Sequence, residues 1–527
     1  MATVTHAEDQ RRDPRRWWAL GALVTSMLVL GFDMTILNVA LPTMAGQLGA
    51  STGELQWIVD AYIVVFAALM LPAGLLGDRF GRRRMLIAGL GVFLAGALCG
   101  TLVHTPGPVI AARAVMGVGA ALVIPLGLSV LPSMFAPEER GKAVAAVTAS
   151  MAAGMPLGPL IGGVLLDHYW WGSIFLINVP MVAIGITACV FLLPESRDPS
   201  SPKVDVLSTA SSALGLGALV FGIIEAPGRG WGSPEVIGSF ALSAVLLAAL
   251  VVRERRAVRP MLDIRLLGHR GFLFNTLAAT LGTFVFSGLL FMLPTYLQEV
   301  GGTDAFGTGL RLLPMMGGLM VSARLSTLLV GRAGPRPVVT AGLAVLCFAA
   351  LLGSRTETGS GYGFTALWLT IAGVGFGLAM VPAMDAALGG IPAEEAGSGS
   401  GLLMTLRQVG GAIGIALLGS LVAGTYGDRV DTARLPAEAA DAARASLTGA
   451  HAVAEQLGLP ALARSADTAY VDGMSAVLVV CGIAALVAAL LTAVLLPNQR
   501  PGEALEPAPA PDVETPDLAP RQAHGRQ

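Results

Sequence analysis

GLLGDRFGRRR, residues Gly74 to Arg84, sets four arginines and one aspartate between two apolar runs, 55–76 and 84–103. Each run approaches the roughly 20 residues a helix needs to cross a ~30 Å hydrocarbon core. Arginine gathers in the cytoplasmic loops of membrane proteins, so this segment reads as an inner loop. Working outward from it gives fourteen apolar segments in all: 17–41, 55–76, 84–103, 108–130, 143–166, 173–193, 206–226, 235–252, 271–297, 308–331, 337–353, 364–390, 398–424 and 473–496. With the N-terminus inside, Arg11, Arg12, Arg15, Arg16, Arg140, Lys142, Arg197, Lys203, Arg253, Arg259, Arg332 and Arg336 all fall on the inner side. The alternation predicts a multi-pass protein of the cell membrane with both termini cytoplasmic.

Composition supports the class. Hydrophobic residues make up 54% of the chain and charged residues 13%, with a mean hydropathy of +0.71. Soluble domains carry about 25% charged residues. The net charge of −2 says nothing useful about partners, and no nucleic-acid partner is expected. Cys99, Cys189, Cys347 and Cys481 each sit in an apolar run, without the spacing of a disulfide framework or a metal site. The first apolar run is long and lacks a small-residue cleavage site, so it is expected to stay as the first span.

A repeat is visible around the opening loop. LLVGRAGPRP, Leu328 to Pro337, aligns with it on Gly81 and Gly334, pairing Arg79 with Arg332 and Arg83 with Arg336. The two loops are equivalent if spans 1–6 and 9–14 are copies of one six-helix unit. The expected fold is therefore all-α: two pseudo-symmetric six-helix bundles around a two-helix insert, the plan of secondary transporters. The divisions are 1–193 for the first bundle, 194–262 for the insert with its linkers and 263–497 for the second bundle. Residues 425–472 read as an external amphipathic helix or lid, and the Pro-rich 498–527 as a disordered cytoplasmic tail.

Ionisable residues at membrane depth are costly, about 2.5–3.5 kcal/mol each on insertion scales, and so are functional candidates. Asp33 lies in span 1 about nine residues, roughly 13 Å, below the outer surface. Asp60 in span 2 and Arg113 in span 4 lie in the same half of the membrane. Desolvation and a nearby cation push a carboxylate's proton affinity in opposite directions. Asp33 and Asp60 are thus the candidates for carrying protons or meeting substrate, with Arg113 tuning them. Asn38 could bond substrate or a neighbouring helix. Asp385, Arg407 and Gln408 are weaker candidates, able to face a central cavity or to stay as structural polar groups.

GMPLGPLIGG, Gly154 to Gly163, places four glycines and two prolines inside span 5. Gly154, Gly158 and Gly162 recur every fourth residue and share one face. Small faces allow close helix approach in lipid. Pro156 and Pro159 bend the helix and remove amide donors that neighbours must replace. This face is expected to seal the outer end of the cavity when the protein opens inward.

These motifs resemble those of the major facilitator superfamily, in its fourteen-span drug–proton antiporter branch. The loop with Gly74, Gly77, Asp78, Arg79, Gly81, Arg82 and Arg83 is similar to the superfamily's signature between helices 2 and 3. RAVMGVGAA, Arg113 to Ala121, resembles its buried-arginine motif, and Gly154, Gly158, Pro159, Gly162 and Gly163 resemble the antiporter motif. FDMTILNVALP, Phe32 to Pro42, QWIVDAYIV, Gln56 to Val64, and IFLINVP, Ile174 to Pro180, fit the same branch. LRQVGGAIG around Arg407 carries a less sharp match in the second half. The resemblance implies a latch role for Gly77, Asp78, Arg79, Gly81, Arg82 and Arg83, holding the halves together in the outward-open state.

No Gly-x-x-x-x-Gly-Lys loop occurs, so ATP is not expected to drive the protein, and no cofactor is expected beyond the proton gradient. No metal-ligand cluster or nucleophile–base pair suggests an enzyme. The expected function is proton-coupled export of lipophilic small molecules, antibiotics, dyes or cations, by alternating access, in a monomer. A dedicated exporter of one natural product would look the same; a nutrient importer or a membrane sensor fits less well.

Overall fold

The computed structural model describes residues 15–197, 205–257, 260, 262–391 and 396–496. Arg11, Arg12, Lys203, Arg259 and the tail 498–527 lie outside them. All regular structure among the described residues is helical. The helices are α1 (Arg15–Leu48), α2 (Thr52–Phe80), α3 (Arg82–Leu102), α4 (Pro106–Ser129), α5 (Pro137–His168), α6 (Asn178–Leu192), α7 (Val206–Arg229) and α8 (Pro234–Arg256). They continue with α9 (Arg270–Thr295), α10 (Ala305–Ala333), α11 (Pro335–Gly353), α12 (Tyr362–Gly389), α13 (Ala396–Arg429), α14 (Ala437–Ala445), α15 (Leu447–Leu457) and α16 (Pro460–Leu495). All but α14 and α15 belong to segments long and apolar enough to cross a membrane, α6 together with the short turn Ser173–Leu176 before it, which makes fourteen spans.

The ends follow local chemistry. Ser51 and Glu54 form a reciprocal capping box at α2, and the Asp205 carboxylate caps α7 by accepting from the amides of Leu207 and Ser208. Gly81 and Gly334 end α2 and α10 at φ +109° and +84°, a region that favours glycine. The repeat extends to the next contact: Arg83 donates to the Val190 carbonyl of α6, and Arg336 donates to the Ala493 carbonyl of α16. One weakly matched loop thus does the same job in both halves, tying helices 2–3 of each unit to its sixth helix.

Packing repeats as well. In the first bundle α1 packs on α5 and α6, and α4 packs on α2 and α3. In the second, α9 packs on α13 and α16, and α12 on α10 and α11. The bundles meet along two seams, α5 with α10 and α2 with α13. The insert is asymmetric. Helix α7 lies over the α2/α13 seam, where Val220, Ile223 and Ile224 are buried with Val64, Ala412 and Ala416. Helix α8 packs on α7 and turns Ile237, Leu242 and Val245 outward, as a lipid-facing helix should.

The segment 425–472 departs from its expected form. Helix α13 runs on to Arg429 and α16 starts at Pro460, so both spans project beyond the apolar stretch. Between them α14 and α15 form a small cap. Thr52 of α2 donates to the Ala445 carbonyl (3.2 Å), and the Tyr426 hydroxyl donates to the Ala443 carbonyl (2.8 Å). The cap touches both bundles because its many alanines allow close packing against the projecting helix ends.

Candidate functional site

A cavity of about 810 Å³ lies between the bundles. Its mouth is at the face that carries the arginine-rich loops, where Asp78, Arg82, Asp205, Glu254 and Pro260 line it. Its walls are Met34, Phe66, Met70, Ile124, Leu128, Met151 and Met404, with Arg407 and Gln408 as polar intrusions. The carboxylates at the mouth are already engaged. Asp78 pairs with Arg82 (2.7 Å), and Asp205 with Arg253 (2.6 Å). Glu254 accepts from the Leu262 amide (3.0 Å). The Arg253 hydrogen bond holds the Asp205 carboxyl down, at about 2.

The other end is closed by bonds across the seams. The Asp167 carboxylate of α5 accepts from the amides of Ala305 and Phe306 at the start of α10, both at 3.2 Å. Gln298 donates to the Val39 carbonyl (2.9 Å), and Gln56 donates to the carbonyls of Ile415 (3.0 Å) and Ala416 (2.8 Å). The protein is therefore open to one face and shut to the other.

Behind the wall, within the first bundle, sits a buried charge pair. Arg113 of α4 bonds Asp33 of α1 at 2.7 Å, with both residues about 2% exposed or less. Asn178 at the head of α6 donates to the second Asp33 oxygen (3.3 Å). Arg113 also donates to the Ile58 carbonyl (3.2 Å) and lies over the Tyr62 ring, 4.3 Å from its centroid. Asp60 is fully buried, and neither of its oxygens meets a hydrogen-bond partner. An ionised carboxylate there would stand uncompensated, a cost of several kcal/mol.

This architecture has named relatives. The sequence matches the Major Facilitator Superfamily family profile over residues 23–415. The chain belongs to that superfamily. It is 32% identical to a tetracenomycin C resistance and export protein of Streptomyces glaucescens, covering 96% of this chain and 97% of the relative. It is 32% identical to the puromycin resistance protein pur8 of Streptomyces alboniger, covering 80% and 84%. A bacterial homologue of the human lysosomal transporter Spinster, solved in an inward-facing, unoccupied conformation, superposes with a TM-score of 0.67 at 18% identity, covering 92% of this chain and 98% of that one.

Within this facilitator fold the sequence candidates separate. Asp33 and Arg113 touch; Asp60 makes no bond to either. None of Asp33, Asp60, Arg113 and Asn38 lines the cavity in this conformation, although Met34, next to Asp33, does. Asn38 donates to the Met34 carbonyl of its own helix (3.3 Å). Arg407 and Gln408 do face the cavity. Asp385 is exposed in a separate depression with Ser326 and Thr327. In the signature loop, Gly77 lies so close to Leu126 that a Cβ would stand 2.0 Å from its Cδ2, and Arg82 donates to the Ser129 carbonyl (2.9 Å). Arg79 lies over the adjacent Phe80 ring. Among the described residues, the bonds of Asp78, Arg82 and Arg83 stay inside the first bundle.

The glycine motif works differently from the expected sealing face. Gly154, Gly158 and Gly162 all face α1 of the same bundle, where added Cβ atoms would meet Phe32, Thr35 and Ile36. The seal belongs to Gly163, one residue round the helix, which sits against Ala305 and Phe306, and to the Pro159 carbonyl, which faces Gly309 of α10. Thr35 donates to the Met155 carbonyl (3.0 Å), the acceptor left vacant because Pro159 has no amide hydrogen. Asn178, Gln56, Thr35 and Asp167 were not singled out from sequence. Asn178 could have been found as the lone polar residue of IFLINVP, and Gln56 as the second polar group, beside Asp60, in QWIVDAYIV.

Proposed function

We propose that this protein is a proton-driven exporter of lipophilic small molecules, working by alternating access with its arginine-rich loops and termini in the cytoplasm. The observation that carries the reading is the large apolar cavity, open at the arginine-rich face and dead-ended beneath the Asp167 and Gln298 bonds. A compound entering from the cytoplasm or the inner leaflet meets thioether and aromatic walls that adapt to many shapes. One chain encloses the whole cavity, which supports action as a monomer.

Asp33 and Asp60 are the proposed proton groups. In this state Arg113, Asn178 and the surrounding helices shut Asp33 away from the cavity, so proton exchange there requires the bundles to move. That is what coupling needs: a carboxylate continuously wetted from both sides would leak protons. Arg113 pairs with Asp33 in this state, and loosening that pair is the proposed step that opens Asp33 to exchange. The signature loop is the proposed latch of the opposite, outward-open state.

The test is transport in proteoliposomes carrying an imposed pH gradient. Substrate moving against proton flow supports export; movement with the protons would make the protein an importer. Asp33→Asn keeps shape and removes titration, and it should abolish gradient-driven movement while leaving substrate binding. Normal export by a well-inserted Asp33→Asn protein would remove Asp33 from the proton path, and the same comparison applies to Asp60→Asn. The near full-length similarity to a tetracenomycin C resistance and export protein favours a second reading, export of one natural product for self-resistance. A substrate panel in which a single compound is moved would select it.

A further inference from the structure

Two arginines at membrane depth, Arg113 and Arg407, are treated in opposite ways. Arg113 has a carboxylate, a carbonyl and an aromatic face. Arg407, eleven residues or about 17 Å along α13 from Ala396, has no carboxylate partner among the described residues. Its one hydrogen bond runs from Nη1 to the thioether of Met384 (3.2 Å), a weak acceptor, and its Nε is shielded without a partner. The guanidinium lies on the wall of the large cavity beside Gln408.

The other charges around the cavity do not answer it. Arg82, Asp78, Asp205 and Glu254 sit at the mouth, each already bonded within the protein. Among the described residues, the deep part of the cavity therefore offers a ligand one positive charge, no free negative one, and walls of Met34, Met70, Met151 and Phe66. An arginine is costly at membrane depth, and its planar fork matches the two oxygens of a carboxylate.

Resting on the export reading, we propose that the cavity selects lipophilic organic acids, and that Arg407 is the group that binds their ionised oxygens. The apolar body of the ligand packs against the methionines, with Gln408 beside the acidic group. An anion leaving a cell that is negative inside is also driven outward by the membrane potential, so the exchange of an anion for a proton draws on both parts of the gradient.

Three probes with one apolar body separate the chemistries: pyrenebutyrate, its methyl ester, and a pyrenebutyl trimethylammonium. Binding is measured by fluorescence on the full chain in nanodiscs of zwitterionic lipid. The wild type should bind the acid at least 10-fold tighter than the ester or the quaternary amine. Arg407→Gln should bring the acid to the level of the ester and leave the ester within 2-fold, while Arg407→Lys should keep most of the preference. The inference is overturned if the wild type shows no preference for the acid, if the cation binds best, or if Arg407→Gln weakens all three alike. Should that variant fail to insert, the wild-type ranking alone decides. Export is read separately in proteoliposomes: a protein that binds the acid but moves nothing under a proton gradient sinks the export reading and leaves the anion site standing.

Discussion

Gly163→Ala tests whether the glycine motif gates the protein or merely packs it. A Cβ at this position would stand 2.4 Å from Phe306 Cα, 2.6 Å from the Ala305 carbonyl oxygen and 2.7 Å from the Phe306 amide nitrogen. All three are backbone atoms of the opposite bundle, and no side-chain rotation relieves them. The seam has to open by about 1 Å to reach ordinary contact. The two bonds from the Ala305 and Phe306 amides to Asp167 are already 3.2 Å long, so that opening breaks them. Overpacking of this kind costs about 1–3 kcal/mol, and hydrogen bonds to a charged group contribute similar amounts. Taking 2–3 kcal/mol, the closed seam loses about 30- to 150-fold in population against the state in which α5 and α10 stand apart.

Spin labels at Tyr169 and Leu310, in a background with exposed Cys99 replaced by serine, report the α5–α10 separation by double electron–electron resonance. Gly163→Ala should move the distribution to longer distances, and cysteines introduced on the cavity wall should lose reactivity from the arginine-rich side. Gly154→Ala is the control. Its Cβ would clash with Phe32 and Leu28 of the same bundle, at 2.6 and 2.8 Å. It should lower thermal stability without shifting the distribution. An unchanged distance in a folded Gly163→Ala protein, or an equal shift in Gly154→Ala, refutes the argument.

Two further outcomes follow from the same geometry. Thr35→Val keeps the shape of the side chain and orphans the Met155 carbonyl, so it should cost about 1–3 kcal/mol, seen as a lower melting temperature that Thr35→Ser largely restores. In the cap, His451 bonds Asp467 (2.8 Å) and Glu299 (2.9 Å), and these bonds raise its pKa from 6.5 to about 9. A raised folded-state pKa means the stabilisation is complete below about pH 6.5 and is lost as pH climbs through 9, with an upper limit of roughly 3.5 kcal/mol. Hydrogen exchange in α15, corrected for its intrinsic pH dependence, should therefore accelerate between pH 6.5 and 9.5, and His451→Gln should remove that step. A flat profile in the wild type would show that the triad does not anchor the cap.

Span number and fold were legible because the membrane imposes length and arginine bias directly on sequence. The repeat was legible at a single loop, where Gly81 and Gly334 both take positive φ and Arg83 and Arg336 each reach a sixth helix. Asp33 and Arg113 could be picked out as rare charges, but their contact could not, because it depends on how α1 and α4 turn toward each other. The glycine spacing identified a smooth face without saying which helix it meets. Gly162 and Gly163 are neighbours in sequence yet about 100° apart on the helix, which is enough to send one to α1 and the other to α10. Arg407 was visible as a residue, while its lack of a counter-charge appears only once every wall of the cavity is in place.

The insert makes the two seams unequal. At α2/α13, Gln56 bonds two carbonyls of α13, Ser420 donates to the Ile223 carbonyl of α7 (2.9 Å), and α7 buries its apolar face over the junction. At α5/α10, the Asp167 carboxylate and the glycine contacts form the closure. Apolar burial persists through small rotations because it is non-directional, whereas backbone-to-carboxylate bonds at 3.2 Å are lost with the first ångström. Rocking of the bundles is thus easiest where α5 meets α10, and α7 keeps the opposite seam covered while they move. A substitution that separates the α5/α10 contact therefore changes the conformational balance far more than one of equal size beneath α7.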